Sequence, residues 1–304
     1  MATMNPEPGE AHQADRAEGP TLEVDQNEAD SAYAESSASS DLTSLASDVT
    51  RGLYENGRRY HSYGSSQYAF PNDERELDRL DMQHSMMTLL LENKLFWSPL
   101  NSPHKVLDLG TGTGIWAMDF AEMFPSAEVV GTDLSAIQPS WVQPNCKFEI
   151  DDAEANWTRP PDYFDFIHNR NFVCSIRDWP RLVEQCYRHT KPGGYFGKSP
   201  TSPRHLKGWT EAAGFVDVRE HALKLPVGPW ARDQRLKKVG LFERVNMDEG
   251  IEALTLMLFT RALGWSVDEV QVFLAGVRRE VKRKDVHAYY HFYVVYGKKP
   301  EDAS

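Results

Sequence analysis

Short apolar runs alternate with amphipathic segments through the middle of the chain. Four runs have the length of one strand and end at a polar or Gly-rich turn: residues 105–109, 127–131, 146–150 and 163–168. Residues 115–124 and 179–189 have apolar positions at helical spacing, and a Pro-Gly-Gly turn leads into a further strand at 195–196. Strands that alternate with helices predict a doubly wound, mostly parallel α/β sheet with helices on both faces.

Further elements are predicted on both sides of this core. Residues 74–96 have the apolar spacing of a helix, which Asn72 or Asp73 can cap. The C-terminal third alternates between strand-like and helix-like patterns. Its predicted elements are a strand at 215–225, helices at 250–263 and 267–284, and a strand at 288–297.

The first fifty residues differ in composition from the rest. They contain eleven acidic residues and one basic residue, Arg16, and they have almost no aromatic side chains. Such a segment cannot bury enough apolar surface to offset its ordering entropy, so we predict a disordered acidic tail at 1–50 and one folded domain at 51–304. Of the net charge of −12, the tail contributes −10 and the domain only −2. A nearly neutral domain argues against nucleic acid as a partner.

Other classes of protein are disfavoured by simple counts. There are three cysteines and no CxxC pair, which suits a reducing compartment. The polar, acidic N-terminus resembles neither a secretory signal nor a transit peptide, and no apolar stretch reaches the ~18–20 residues that cross a membrane. We expect a cytoplasmic protein, with the nucleus as the alternative. No His/Cys cluster has the spacing of metal ligands, so no metal site is predicted.

The first strand of the core ends in a Gly-rich turn that opens a helix. Gly110, Gly112 and Gly114 let the backbone turn tightly and approach a ligand closely. Asp108 stands two residues before the first of these glycines, where its charge would repel a pyrophosphate. S-adenosylmethionine carries a sulfonium and an ammonium, so a carboxylate at this strand end suits it by simple electrostatics.

Two further acids follow the next two strands. Asp133 lies about twenty residues beyond the Gly-rich turn, where an acid accepts hydrogen bonds from both ribose hydroxyls. Asp152 and the backbone of Ala153 are suited to an adenine ring. The carboxyl ends of parallel strands meet at one crevice, so these acids converge. The predicted cofactor-binding residues are Asp108, Gly110, Thr111, Gly112, Gly114, Asp133, Leu134, Asp152, Ala153 and Asn169.

These motifs resemble those of a known family. Five segments resemble class I methyltransferase motifs: 107–114, 130–135, 148–153, 164–170 and 191–196. Five others resemble the fungal LaeA-like family more closely: 68–73, 79–84, 141–145, 224–230 and 294–300. The resemblance covers about 54–300. It implies a seven-stranded Rossmann-like sheet with added N- and C-terminal helices, S-adenosylmethionine as cofactor, and a role in secondary-metabolite gene clusters, as regulator or tailoring enzyme.

The chain departs from the family pattern after Phe196. The family usually has an acidic residue close behind this position and then a longer, lid-like helical stretch. Here Gly197 and Lys198 lead almost directly to Leu206. A natural short form and a gene model that lacks an exon both remain open. The crossover is still long enough for a parallel connection, which needs only a dozen or so residues.

The predicted function is methyl transfer to a small-molecule acceptor, through O- or N-methylation in fungal secondary metabolism. His168, after the fourth strand, is the candidate base, although a strand-end histidine held by local hydrogen bonds is the plainer interpretation. The helices at 74–96 and 250–284 are expected to form the acceptor pocket. One alternative is a LaeA-like regulator that acts through a protein partner with little turnover. Another is a dinucleotide oxidoreductase, against which Asp108 argues.

Overall fold

The computed structural model describes residues 52–61, 70–172, 175–199 and 205–303, together with the backbone of 17–18. The predicted disordered tail therefore lies outside the described residues, except for its two-residue strand at 17–18. In the described part, no helix is both long enough and apolar enough to cross a membrane.

Ten strands and six helices make up this part of the chain. The strands are β1 (Ala17–Glu18), β2 (Leu53–Glu55), β3 (Arg58–Tyr60), β4 (Lys105–Leu109), β5 (Glu128–Asp133), β6 (Cys146–Ile150), β7 (Phe164–Arg170), β8 (Thr190–Ser199), β9 (Val216–Pro226) and β10 (Tyr289–Lys298). The helices are α1 (Glu74–Leu90), α2 (Ile115–Met123), α3 (Trp179–His189), α4 (Leu206–Ala212), α5 (Gln234–Leu263) and α6 (Val267–Val281).

One sheet has the strand order β1-β9-β10-β8-β7-β4-β5-β6. Strands β4 to β8 pair in parallel, and β10 is antiparallel to both of its neighbours. Apart from the two-residue β1, this is the predicted seven-stranded, mostly parallel sheet. The prediction of a doubly wound fold is confirmed.

Apolar side chains cover both faces of the central strands, as a parallel sheet requires. Trp116 and Phe120 of α2 form one core with Val106 and Phe166. On the opposite face, a second core joins Leu107 and Ile167 to side chains of α3 and α4, including Val183, Cys186 and Leu206. Neighbouring residues of β4 and β7 point to opposite faces, and both faces are covered, so nearly every residue of these two strands is buried.

The predicted helix boundaries were wrong at two places. Helix α1 begins after its Asp73 cap as predicted, but it ends at Leu90, and Glu92 and Asn93 then adopt left-handed backbone angles (φ 60° and 61°). Helix α5 begins at residue 234, not at 250. Its first half contains Gly240, which weakens a helix prediction. In the structure a Cβ there would lie 2.0 Å from the carbonyl oxygen of Gly228, so the close packing requires glycine.

The short crossover between β8 and β9 leaves the sheet complete. Sixteen residues separate the two strands, and α4 lies among them; residues 200–204 are outside the described part. Both strands pair with β10, which lies between them. The two strands are thus parallel to each other, and the sixteen residues between them exceed the dozen or so that a parallel connection needs.

Candidate active site

The carboxyl ends of β4, β5, β6 and β7 surround one cavity, and α1 covers part of it. Most of the predicted site residues line this cavity: Asp108, Gly110, Thr111, Gly112, Asp133, Leu134, Asp152, Ala153 and His168. The additional wall residues are Leu80, Gln83, Thr113, Ile115, Trp116, Thr132, Asp151, Arg170, Asn171, Phe172, Ser175 and Ile176. The three strand-tip acids therefore share one cavity, as their positions in the sequence predicted. Neither α5 nor α6 contributes a wall residue, so the expected role of 250–284 in the acceptor pocket is not supported.

Asp108 is buried, and both of its carboxylate oxygens accept hydrogen bonds. Oδ1 lies 2.7 Å from Nδ1 of His168, and Oδ2 accepts from the hydroxyl of Thr111 at 2.7 Å. A carboxylate only accepts, so the proton of the neutral imidazole lies on Nδ1 and the Nε2 atom is the acceptor. The ring of His168 also stacks on Trp116, with centroids 3.7 Å apart and planes 6° from parallel. The imidazole is thus held at its edge and on one face.

The Gly-rich turn is shaped by two aromatic rings. Gly110 (φ 62°) lies under Phe172, whose ring would be 1.6 Å from an added Cβ. Gly114 (φ 83°) begins α2 against the ring of Phe148, 2.3 Å from an added Cβ, and it does not line the cavity. Its predicted role as a cofactor contact is corrected: the glycine is needed for packing. Gly112 differs, because an added Cβ would meet only Leu80, at 3.9 Å, which leaves its backbone open to a ligand.

Asp133 ends β5 with its carboxylate turned to the Gly-rich turn. Oδ2 accepts the backbone N–H of Gly112 at 2.9 Å, and Oδ1 accepts that of Ser135 at 3.0 Å. Desolvation raises the pKa of Asp133 to about 6. Each oxygen keeps a lone pair for a hydroxyl group. Asp152, after β6, accepts the N–H of Glu154 at 2.9 Å through Oδ1.

Asn169 does not reach the cavity, contrary to the prediction. It is 1% exposed, and its Nδ2 donates to the carbonyl oxygen of Leu109 at 3.2 Å. Successive residues of a strand point to opposite faces, so Asn169 faces away from His168. Its side chain fastens β7 to β4.

Polar residues that are not among the predicted cofactor-binding residues also face the cavity, from the end of β7 and from α1. Arg170 is two residues beyond His168 and therefore on the same face of the strand, as the spacing of the two residues predicts. Asn171 donates from Nδ2 to Oε1 of Gln83 at 2.9 Å, and its own Oδ1 is buried without a hydrogen-bond partner in the described part of the chain. The position of Gln83 depends on how α1 packs, which has no local sequence signal. Nowhere in the described ranges do three or more His, Cys, Asp or Glu side chains form a metal site.

The residues of the cavity fit S-adenosylmethionine. At the ends of β5 and β6, the carboxylates of Asp133 and Asp152 are acceptors for hydroxyl and amino groups. The open backbone at Gly112 permits close approach, and the buried charge of Asp108 favours a cation. A Rossmann-like sheet with this first turn and these strand-tip acids defines the class I methyltransferase fold.

Comparison with known proteins agrees with this class. A family model described as "Methyltransferase domain" matches residues 81–222. The chain is 42% identical over 299 residues to "Methyltransferase pytC" of Aspergillus terreus, a match that covers 86% of this chain and 92% of that protein. It is 33% identical over 290 residues to "Secondary metabolism regulator LAE1" of Cochliobolus heterostrophus, with 81% and 94% covered. The chain belongs to the LaeA-like fungal family of class I S-adenosylmethionine-dependent methyltransferases.

Among solved structures, a phosphoethanolamine N-methyltransferase 2 of Haemonchus contortus with bound S-adenosylhomocysteine is 18% identical. The match has a TM-score of 0.44 and covers 71% of this chain and 52% of that chain.

The family model and the relatives confirm the predictions of family, enzyme class and cofactor. The protein is an S-adenosylmethionine-dependent methyltransferase, and it acts on an acceptor substrate.

Proposed function

We propose that this enzyme methylates an oxygen or nitrogen atom of a small molecule in fungal secondary metabolism, with His168 as the base. The observation that carries this proposal is the buried pair of Asp108 and His168 in the cavity wall. S-adenosylmethionine, when bound, supplies an electrophilic methyl group on its sulfonium. The 42% identity to a protein named as a methyltransferase supports an enzyme over a binding protein.

The surroundings of His168 suit proton removal from an acceptor. Burial lowers the pKa of His168 below its ordinary value, and the hydrogen bond to Asp108 opposes this only in part. The imidazole is therefore neutral at neutral pH. The Asp108 carboxylate keeps the Nδ1 proton in place, so Nε2 has the free lone pair that a general base needs.

The other wall residues position the reactants. Displacement of a methyl group needs an attacking atom in line, so fixed orientation supplies much of the rate. We assign the nucleoside to Asp133 and Asp152, and the acceptor to the side of the cavity next to Gln83 and Asn171. The buried, unpartnered Oδ1 of Asn171 is an acceptor for a hydroxyl or N–H of that molecule.

The test is methyl transfer to a panel of phenols, carboxylic acids and amines by the full chain and by His168→Gln. We expect the variant to lose about 100-fold or more in kcat while it still binds S-adenosylhomocysteine. His189→Gln is the matched control, because His189 is equally buried but bonds the Gln185 carbonyl oxygen in α3. Unchanged turnover in His168→Gln would remove His168 as the base.

A second candidate is a regulator of secondary-metabolite gene expression that acts in a protein complex. Relatives at 32–34% identity are named as secondary metabolism regulators. This candidate predicts cofactor binding without turnover on the panel, a stable protein partner, and location in the nucleus. The enzyme candidate predicts turnover by the purified chain and location in the cytoplasm. Imaging of a fluorescent fusion, with a turnover assay on the same chain, separates the two.

A further inference from the structure

Arg170 is the only lysine or arginine among the residues described as lining the cavity. Its Nη2 lies 2.8 Å from Nδ1 of His84. Within the described ranges, no carboxylate lies within 4.0 Å of its guanidinium, although most other arginines there pair with an acid. Burial lowers the pKa of Arg170 to about 10, and the group remains charged at neutral pH. The charges of Asp108 and Asp119 favour the guanidinium from beyond 4.0 Å, but no carboxylate of the described residues contacts it directly, so an anionic group of a ligand can pair with its N–H donors in the cavity.

The location of Arg170 defines which part of a ligand it meets. The strand order β7-β4-β5-β6 places it at one end of the cavity, and Asp133 and Asp152 at the other. Neighbouring strands are about 4.8 Å apart, so β7 and β6 are separated by roughly 14 Å. This is the order of length of an extended nucleoside joined to an amino acid. With the nucleoside at β5 and β6, the amino-acid end lies at β7.

Two residues from two helices hold Arg170 in place. Arginine can only donate, so Nδ1 of His84 is the acceptor, and the ring proton of the neutral imidazole lies on Nε2. That Nε2 donates to Oδ2 of Asp119 at 2.9 Å. His84 belongs to α1 and is buried, whereas Asp119 belongs to α2. The two hydrogen bonds, from His84 to Asp119 and from Arg170 to His84, fix one side of the guanidinium. The other N–H donors of Arg170 remain for a ligand.

We propose that Arg170 binds the carboxylate of the methionine moiety of the cofactor, and that His84 and Asp119 are positioning residues for it. This inference rests on the proposed function, because it needs a cofactor that occupies the cavity. A guanidinium can bind a carboxylate through two parallel hydrogen bonds, a geometry that lysine cannot reproduce.

The experiment compares two ligands that differ at the carboxylate. S-adenosylhomocysteine carries the amino-acid end, whereas 5′-methylthioadenosine has the same nucleoside and sulfur but no carboxylate. Dissociation constants of both are measured by calorimetry for the full chain, Arg170→Gln, Arg170→Lys and Arg177→Gln. Arg177 is the control, since it is an exposed arginine that pairs with Glu154.

For Arg170→Gln we expect S-adenosylhomocysteine to bind about 10- to 100-fold more weakly, with 5′-methylthioadenosine changed less than about 3-fold. Arg170→Lys restores only part of the difference, and Arg177→Gln changes neither ligand. Asp119→Asn lowers the preference for S-adenosylhomocysteine over 5′-methylthioadenosine by about 3-fold or more, which a general loss of folding would not do.

Equal weakening of both ligands, or no change, in Arg170→Gln overturns the inference; an unchanged preference is also the result expected if Arg170 binds a carboxylate of the acceptor instead. If the unmodified chain binds neither ligand, the proposed function fails first, and that outcome is distinct.

Discussion

Oδ1 of Asp108 lies 2.7 Å from Nδ1 of His168, across the ladder that pairs β4 with β7 in register. A single carboxylate thus contributes charge to the cofactor cavity and orients the imidazole. From the sequence, Asp108 is predicted only as a cofactor-binding residue. The structure adds its contact with His168, so loss of the charge has consequences for both binding and proton transfer.

The first prediction concerns Asp108→Asn. An amide can donate to Nδ1, which favours the imidazole tautomer with its proton on Nε2, where it cannot accept one. We expect kcat for methyl transfer to fall about 100-fold or more, with a smaller loss in affinity for S-adenosylhomocysteine. Methyl-transfer assays measure kcat, and calorimetry on the same preparation measures the affinity for S-adenosylhomocysteine. Thr111→Val is the comparison, because it removes the bond to Oδ2 and leaves the bond between Oδ1 and His168 in place. Normal turnover in Asp108→Asn would contradict the orienting role.

The second prediction concerns pH. Desolvation raises the pKa of Asp133 to about 6, and a carboxylate accepts ribose hydroxyls best when ionised. Affinity for S-adenosylhomocysteine should therefore be constant above pH 7 and fall as the pH drops below about 6. In Asp133→Asn the affinity is lower throughout, and this pH dependence is lost. A titration that stays flat for the unmodified chain between pH 5 and 7 (roughly one unit on either side of that pKa) is incompatible with the assignment.

The third prediction concerns the buried Lys198 in β8. Its side chain is 1% exposed, its Nζ has no hydrogen-bond partner within the described part of the protein, and it lies over the ring of Trp179. Desolvation puts its pKa well below the ordinary value. Lys198→Met should raise the free energy of unfolding at pH 7 by roughly 1–3 kcal/mol, since it removes a buried polar group.

The sign with pH follows from proton binding. The pKa of Lys198 is lower in the folded protein than in the unfolded chain, so the folded protein binds fewer protons between the two values. The loss of stability caused by the buried amine is therefore complete at low pH. It disappears as the pH rises towards the pKa of the unfolded chain, about 10.5. The gain in Lys198→Met therefore shrinks between pH 7 and pH 10, as measured by denaturant titration. Lys191→Met provides the comparison, because Lys191 pairs with Asp165 at 2.8 Å and its loss gives no gain. A destabilised Lys198→Met would show that the amine has a stabilising role.

Several elements of the fold could be predicted from the sequence, where an apolar segment is bounded by turn-forming or capping residues. The bounds of β4, β6 and α3 were predicted to the residue, because each is a short apolar or amphipathic segment between Gly, Pro or Asp positions. The β2–β3 hairpin was missed although Asn56 and Gly57 are a strong signal for a two-residue turn; their φ angles are 51° and 76°. The start of α5 was missed because Gly240 and charged residues obscure its periodicity.

The candidate site likewise has a part that the sequence predicts and a part that it does not. The acids at the strand tips could be predicted, because the carboxyl ends of parallel strands meet at one edge. The contacts of Arg170 with His84, and of His84 with Asp119, join β7, α1 and α2. They depend on how these elements pack, and no spacing along the chain reports it. Gly114 shows the converse: it fits the motif, but its contact with Phe148 shows that the glycine is required by packing.

The most direct test of the account is calorimetric titration of S-adenosylmethionine and S-adenosylhomocysteine into the unmodified chain and Asp133→Ala. If the acids at the strand tips hold the nucleoside, both ligands bind the unmodified chain, and the variant binds them at least about 30-fold more weakly, as expected for the loss of two charge-assisted hydrogen bonds. Equal affinity in the two proteins would contradict the cofactor site proposed here.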